Sequence, residues 1–161
     1  MKVFLSGIIT TPYAREFLSK CADAIRSKGF ECYIPSNDRP EEHATQSGHS
    51  RQRDFDALDQ AEALVAVLDG FAVSDGVAGH IGTFYALMQR TPAKKGIIGI
   101  LHDSRVARWD WAAGARALND YLLGCIEERG RVFRSFGEAL AELLRWDGRV
   151  DEARSVDAGL A

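Results

Sequence analysis

A carboxylate, three glycines and an imidazole stand close together in the segment DGVAGHIG, residues 75–82, which follows the apolar run ALVAVLDG after a few residues. This pattern predicts a strand, a glycine turn that Asp75 opens, and then a helix that begins around Val77 to Gly79 and carries His80 in its first turn. The start of a helix presents unpaired N–H groups, and carboxyl and imidazole side chains transfer protons in many enzymes. The segment therefore indicates a small-molecule site, while two structural roles stay open: Asp75 as a helix cap and His80 as a packed side chain.

Five short apolar segments alternate with segments of helical spacing, and these elements must position the candidate residues. The predicted strands are KVFLSG, ECYIP, LVAVLD, GIIGIL and RVF, at residues 2–7, 31–35, 64–69, 96–101 and 131–133. Continuous apolar runs such as LVAVLD are typical of strands in the middle of a parallel sheet. The alternation predicts the α/β class: a single domain with a doubly wound, flavodoxin-like or Rossmann-like, mostly parallel five-stranded sheet and helices on both faces.

Polar or glycine-rich residues follow three of these strands, in SGII, DGFAVSDG and HDSR. In an open parallel sheet, ligands bind beyond the carboxyl ends of the strands, where such segments converge. Ser6, Gly7 and Ile8 after the first strand, and Gly76 in the glycine turn, are therefore candidate substrate-binding residues. Gly7 is equally consistent with a simple turn.

The length of the chain, 161 residues, suits one domain with one core. We assign residues 1–146 to this domain and residues 147–161, which are mostly small and polar, to a frayed C-terminal tail. Near the end of the domain, Ser135 and Glu138 have the spacing of a capping box at the start of the last predicted helix.

Composition and charge exclude several classes of partner. The net charge of −3 lacks the basic excess of a nucleic-acid-binding protein. No apolar run reaches the ~20 residues of a membrane span, and the N-terminus lacks the pattern of a signal peptide. Three isolated cysteines, Cys21, Cys32 and Cys125, have no metal-type spacing and indicate reduced thiols in the cytoplasm. The sequence has no dinucleotide or P-loop fingerprint, and we expect neither a metal nor a cofactor.

Several motifs, taken in their order along the chain, resemble the nucleoside 2-deoxyribosyltransferase family, which includes nucleotide N-glycosidases. The motifs are Ser6-Gly7, RDFDALDQAEALVAVLDG, SDGVAGHIG, Asp103-Ser104-Arg105, Asn119 and GRVFRSFGEAL. The resemblance rests on their order and spacing, from about residue 2 to residue 144, rather than on any single motif. It implies a nucleoside or nucleotide as substrate and a homodimer or larger homo-oligomer as the assembly.

The resemblance also implies roles for individual residues. Asp54 matches the acid that contacts and protonates the leaving base, and Asp75 matches the acid that holds the sugar hydroxyls. Asn119 matches a residue that reaches the 5′ end of the sugar, often in the site of a neighbouring subunit. These roles suit the reaction, because N-glycosidic cleavage passes through an oxocarbenium-like state that a carboxylate stabilises while a second acid protonates the base.

The chain departs from the family pattern at the centre of the core motif. His80 stands where the family has its nucleophilic glutamate, Val77 replaces the usual threonine, and Gly79 replaces a bulky residue. An imidazole cannot form the ordinary glycosyl ester. Three alternatives follow: His80 acts as a general base on water, it attacks through a ring nitrogen, or the site is inactive and still binds nucleotides. In the active alternatives, Asp75 can take over as the stabilising carboxylate.

Two loops contribute further candidates. The first carries four polar side chains, His43, His49, Arg51 and Arg53. With Ser6 they are suitable donors for a substrate phosphate, or they form a solvated polar loop. In the second loop, Trp109 and Trp111 flank Asp110, and the two tryptophans either stack on a base or cover a dimer interface.

We therefore predict an enzyme that cleaves or exchanges the N-glycosidic bond of a nucleoside or nucleoside 5′-monophosphate. Its predicted catalytic residues are His80, Asp75 and Asp54, and its predicted substrate-binding residues include Asn119 and Trp109. One alternative is a catalytically inactive, nucleotide-binding member of the same family. Another is a flavodoxin-like domain with an unrelated ligand.

Overall fold

The computed structural model describes residues 1–35, 47–105 and 118–159, except for the side chains of residues 47–50. In this part of the chain five strands and six helices follow one another. They are β1 (Lys2–Ser6), α1 (Pro12–Ser27), β2 (Glu31–Tyr33), α2 (Ser47–Gln60), β3 (Ala63–Val67), α3 (Asp75–Met88), β4 (Gly96–Ile100), α4 (Asp120–Glu127), β5 (Arg131–Phe133), α5 (Phe136–Trp146) and α6 (Val150–Ala158).

The five strands pair in parallel, in the order β2-β1-β3-β4-β5. From β1 the chain moves to one side to form β2 and then to the other side to form β3. The connections that leave β1 and β3 therefore diverge to opposite faces of the sheet, which makes their carboxyl ends the switch point where such sheets bind ligands. The predicted α/β class, with a doubly wound five-stranded sheet, is confirmed.

Helices cover both faces of the sheet and form two apolar clusters. One cluster joins the sheet to α1, α5 and α6, and the other joins it to α2, α3 and α4. Successive residues of a strand point to opposite faces of the sheet, as Leu64 and Val65 of β3 do. Both β3 and β4 are buried along their whole length, which explains why their sequences are continuous apolar runs.

Two helices begin at clear sequence signals. At the start of α1, the Thr11 hydroxyl accepts a hydrogen bond from the N–H of Ala14, and Pro12 is the first helical residue. At the start of α5, Ser135 and Glu138 form the predicted capping box, with the Glu138 N–H donating to Ser135 Oγ at 3.2 Å. Within the described segments no helix has both the length and the apolar character needed to cross a membrane.

The segment predicted to be a frayed tail is largely helical, so that prediction is wrong for residues 150–158. Helix α6 packs on α5 and fully buries Ala153. An ion pair joins Arg145 of α5 to Asp157 of α6, and the Arg149 guanidinium donates to the carbonyl of Lys28 at 2.5 Å. The sequence pattern did not predict this helix, because Ala153 is the one residue that the helix buries completely and a single alanine forms no apolar stripe.

Candidate active site at the ends of β1 and β3

Ser6 and His80 are joined by a hydrogen bond at the carboxyl end of β1. Ser6 is the last residue of the strand and is only 1% exposed, while His80 lies half-buried in the second turn of α3. The Ser6 Oγ and His80 Nδ1 atoms are 2.8 Å apart. The Phe4 ring packs steeply against the imidazole, with ring centroids 4.9 Å apart. These contacts fix the plane of the imidazole and leave Nε2 as the nitrogen available to a ligand.

The imidazole of His80 is held in its neutral form. Burial lowers the pKa of His80 below its ordinary value of 6.5, and the negative charge of Asp54 opposes this shift. A neutral imidazole has one protonated nitrogen and one nitrogen with a lone pair. If Nδ1 donates its hydrogen to the Ser6 hydroxyl, the lone pair lies on Nε2, where it can accept a proton from water or from a hydroxyl group.

Asp54 approaches the same place from α2. Its carboxylate accepts a hydrogen bond from the Tyr33 hydroxyl at 2.8 Å, and its charge acts on His80. Tyr33 ends β2 and packs against Phe4, with ring centroids 5.2 Å apart. Three of the residues predicted from sequence, Ser6, His80 and Asp54, are thus brought together around the Phe4 ring.

A buried ammonium group holds the C-terminal end of α2. Lys94 Nζ donates to the carbonyls of Leu58, Asp59 and Ala61 at 3.0, 2.9 and 2.6 Å. The last carbonyls of a helix have no partner within the helix, and the helix dipole favours a cation beside them. Lys94 therefore anchors the helix that carries Asp54, and no local pattern around Lys94 predicts this contact.

Asp75 is the first residue of α3 and does not cap the helix. The N-cap is Ser74, whose side chain makes no capping hydrogen bond, so the helix-cap role considered for Asp75 is wrong. The helix also begins two to four residues before its predicted start, which was around Val77 to Gly79. Asp75 and Gly76 are both exposed, and within the described part of the chain no hydrogen bond or ion pair joins Asp75 to His80.

Gly7 allows α1 to pack closely on the end of β1. A Cβ atom at this position would lie 2.6 Å from Leu18 Cδ2, so packing alone calls for glycine. The next residue, Ile8, lines a cleft of about 370 Å³ on the α1 side of the sheet. The walls of this cleft include Thr11, Tyr13, Phe17, Asp69 and Gly70.

Asn119 is the N-cap of α4. Its Oδ1 atom accepts hydrogen bonds from the N–H groups of Tyr121 and Leu122 at 2.9 and 3.4 Å. The helix therefore begins at Asp120, directly after Asn119. The side-chain NH₂ group of Asn119, which is exposed, is the part that can reach a ligand.

Several predicted residues lie outside the described residues: His43, Trp109, Asp110, Trp111 and the side chain of His49. Arg51 and Arg53 are exposed on α2. This helix begins at Ser47, inside the segment that the sequence analysis treated as a loop.

A polar network between the ends of β3 and β4 contains two residues that the sequence analysis did not single out, Asp69 and His102. The Asp69 carboxylate accepts the backbone N–H groups of His102 and Asp103 at 2.6 and 3.1 Å, and its second oxygen lies 2.6 Å from His102 Nδ1. Burial, the largest single cause, raises the pKa of Asp69, but the hydrogen bonds from His102 and Asp103 and the charge of His102 together outweigh it, so that the pKa is lowered overall. The only sign of Asp69 and His102 in the sequence is that each is the polar residue at the end of an apolar run.

Arg105 and Asp103 form the second half of this network. The Arg105 side chain, in a residue that is 8% exposed, bonds the Asp103 carboxylate at 2.7–3.0 Å and the Leu68 carbonyl at 2.5 Å. Asp103 also accepts the N–H of Gly70 at 2.9 Å. These bonds, above all those from the Arg105 side chain, lower the pKa of Asp103 to about 2. The network therefore fixes the start of the loop that leads from β3 to α3 and His80.

The described residues include no group of three or more His, Cys, Asp or Glu side chains arranged to hold a metal ion. The chemistry available at the end of β1 is that of an imidazole, a hydroxyl and carboxylates. Such a set transfers protons and stabilises positive charge.

Comparison with solved structures identifies the same fold in other proteins, all at identities that indicate the fold alone. A conserved protein from Enterococcus faecalis V583 is 24% identical with a TM-score of 0.72, over 90% of this chain and 98% of that chain. A 2-deoxyribosyltransferase from Bacillus psychrosaccharolyticus is 15% identical with a TM-score of 0.63, over 87% and 90%. The CMP N-glycosidase of Clostridium botulinum is 18% identical with a TM-score of 0.53, over 89% and 98%.

A search of curated proteins finds no match to the chain. The sequence model of the family described as "Nucleoside 2-deoxyribosyltransferase" matches residues 3–138, which are most of the chain. This match spans β1 to the first turn of α5 and includes Ser6, Asp54 and His80. The chain belongs to the nucleoside 2-deoxyribosyltransferase family.

Proposed function

We propose that the chain cleaves or exchanges the N-glycosidic bond of a nucleoside or nucleoside 5′-monophosphate. The observation that carries the proposal is a neutral imidazole, His80, oriented by Ser6 and acted on by the charge of Asp54 at the switch point of the sheet. Membership of the family supports it, because proteins of this fold include a deoxyribosyltransferase and a CMP N-glycosidase.

In the hydrolytic form of the reaction, His80 takes a proton from water while the water oxygen bonds to the anomeric carbon. The bond from that carbon to the base nitrogen breaks, and its electron pair leaves with the base. The proton passes from the imidazolium to Asp54, whose carboxyl group delivers it to the departing nitrogen. Sugar and free base are then the products, and both side chains have returned to their starting forms.

The imidazole favours water over a second base as the acceptor. The transferases of this family are expected to form a glycosyl ester on glutamate, and a histidine cannot form that ester. In the exchange form of the reaction, the second base takes the place of water and gives its proton to His80. We therefore expect hydrolysis to exceed transfer in this chain.

The proposal extends to residues and properties beyond the imidazole. Asp75, exposed at the start of α3, is assigned to the sugar hydroxyls, and the free NH₂ group of Asn119 to the 5′ end of the sugar in a homodimer or larger homo-oligomer. Trp109 is assigned to the base. A cytoplasmic location agrees with Cys21, Cys32 and Cys125 as reduced cysteines outside any disulfide.

The test is incubation of the protein with ribonucleosides, deoxyribonucleosides and their 5′-monophosphates, with and without an acceptor base. Chromatography should detect free base from at least one substrate, with exchanged product as the smaller fraction. His80→Gln should reduce the release of base by roughly 10²–10⁴-fold while the thermal midpoint stays unchanged. No free base and no exchanged product from any substrate would contradict the proposal.

A second candidate function is nucleotide binding without catalysis. The observation that favours it is that the Ser6 hydroxyl already engages the imidazole of His80, the residue predicted to stand in place of the nucleophilic glutamate. The variant His80→Glu separates the two functions. Activity that appears only in this variant supports the binding protein, whereas wild-type activity that the variant abolishes supports the histidine mechanism.

A further inference from the structure

Tyr33, a residue that the sequence analysis did not single out, connects the sheet to the helix that carries Asp54. It ends β2 and lies opposite Phe4 in the register of β1 and β2. Phe4 is fully buried, and its ring contacts the rings of both Tyr33 and His80, with centroids 5.2 and 4.9 Å away. Two paired strands therefore fix the ring of Tyr33 and the surroundings of the imidazole together.

Asp54 lies on the side of α2 that faces the sheet. It is half-buried and stands four residues before the buried Leu58, so the two side chains share one face of the helix. The other two acids of α2, Asp56 and Asp59, are exposed. Asp54 is thus the acid of this helix that reaches the sheet, where its Oδ1 atom accepts the Tyr33 hydroxyl at 2.8 Å.

Packing alone does not fix α2 against this side of the sheet. A cleft of about 410 Å³ lies beside Tyr33, and its lining includes Val3 of β1 together with Arg53 and Ala57 of α2. Side chains of the helix therefore leave open space next to β1 and β2. The hydrogen bond from Tyr33 to Asp54 joins helix and sheet beside this space, whereas Lys94 holds the C-terminal end of the helix.

The bond from Tyr33 orients a carboxylate that could otherwise rotate. A hydrogen bond to an ionised acceptor is stronger and shorter than one between neutral groups. Because Tyr33 holds Oδ1, we assign Oδ2 as the oxygen that takes and delivers the proton. Proton transfer requires its partners within hydrogen-bond reach, and a displacement of about 1 Å can cost roughly 10²-fold in rate.

We propose that Tyr33 is a positioning residue of the site: its hydroxyl holds the Asp54 carboxylate in the orientation in which it exchanges protons with His80 and the leaving base. This role rests on the proposed function and adds a residue to it. Tyr33 acts through Asp54 rather than on the substrate.

The experiment makes two measurements on wild type, Tyr33→Phe, Asp54→Asn and the double variant. Base release gives kcat and KM, and NMR titration gives the pKa of His80. Tyr33→Phe keeps the ring that packs on Phe4 and removes only the hydroxyl. It should lower kcat by at least about tenfold with little change in KM. It should also lower the pKa of His80, because the Asp54 charge that raises this pKa is no longer held in place.

The double variant shows whether Tyr33 acts through Asp54. Adding Tyr33→Phe to Asp54→Asn should change kcat by no more than about twofold and leave the His80 titration in place, because no carboxylate is left to position. Tyr85→Phe is the matched control, since the Tyr85 hydroxyl also bonds a carboxylate, that of Glu128 after α4. This control should leave kcat and the His80 titration at their wild-type values.

A bond that only ties α2 to β2 would have a different signature. Tyr33→Phe would then lower the thermal midpoint while kcat and the His80 titration stay unchanged, and this result would overturn the proposal. A loss confined to KM, or an equal loss of kcat with and without the Asp54 carboxylate, would also overturn it. If none of the proteins releases base, the enzymatic function fails. The titration then decides the part of Tyr33: a lowered pKa of His80 in Tyr33→Phe supports its hold on Asp54, and an unchanged or raised pKa refutes it.

Discussion

Two polar regions lie at the same edge of the sheet, and they differ in how many bonds their groups make. Between β3 and β4, Asp69, Asp103 and Arg105 each make at least three hydrogen bonds, to one another and to the backbone. At the end of β1, one hydrogen bond joins His80 to Ser6 and another joins the Tyr33 hydroxyl to Asp54, and the Phe4 ring packs against the imidazole.

This difference distinguishes residues that hold the structure in place from residues that can take part in the reaction. A charged group that already makes all its bonds can hold a loop, but it must give up bonds before it can take part in a reaction. His80 has a free ring nitrogen and a pKa that burial holds in the range where the imidazole is neutral. We therefore assign proton transfer to the region around His80 and positioning to the region around Arg105.

Among the substitutions that test this comparison of the two regions, Asp54→Asn should have the largest effect, and that effect is on activity. The amide cannot pass a proton to the leaving base, so the release of base should fall by roughly 10²–10⁴-fold. The amide oxygen can still accept the Tyr33 hydroxyl, so the free energy of unfolding should change little. Chromatographic rates and urea denaturation measure the two quantities. Asp59→Asn, which alters an exposed acid on the same helix, should leave both near the wild-type values.

Arg105→Ala should mainly lower the stability of the protein, whereas Asp54→Asn should mainly lower its activity. It leaves the Asp103 carboxylate without its buried partner, so we expect the free energy of unfolding to fall by about 3 kcal/mol. Urea denaturation measures this loss, and Arg90→Ala in the exposed turn after α3 should change stability by less than about 0.5 kcal/mol. If the Arg105→Ala protein is stable but has no activity, the assignment of Arg105 to positioning rather than to the reaction is wrong.

Gly7→Ala tests the contact between β1 and α1 that both regions share. The new Cβ would lie 2.6 Å from Leu18 Cδ2, and moving that buried side chain should cost about 1–3 kcal/mol of stability. Adding Leu18→Val should recover part of the loss. As a matched control, Gly124→Ala in α4 meets open space and should gain up to about 1 kcal/mol from helix propensity. An equal response of the two glycines in thermal or urea denaturation would contradict the packing role of Gly7.

The sequence was sufficient for features that local pattern determines. The strands at residues 63–67 and 96–100 are buried on both faces, so their composition is continuous and unmistakable. The capping box of Ser135 and Glu138 lies within four residues and is visible in the same way. The placement of Ser6 and His80 near each other followed from topology, because the carboxyl ends of parallel strands share one edge.

Features that depend on distant parts of the chain could not be predicted. The bonds from Lys94 to the end of α2, and from Asp69 to His102, join residues more than 30 positions apart and leave no periodic signal. Asp75 looked like a helix cap because its residue type suits that position, but Ser74 holds it. Helix α6 was missed because it fully buries a single alanine.

The pH dependence of kcat/KM for base release tests the central claim most directly, because it reports the protonation of the free enzyme. If neutral His80 accepts the proton, the rate should stay level near neutral pH and fall only as the pH drops through a value below 6.5. Asp54→Asn should move that fall to still lower pH, because it removes the charge that raises the pKa of His80. His80→Gln should be slow and show no such fall. An unchanged fall in His80→Gln, or full activity of that variant, would contradict the account.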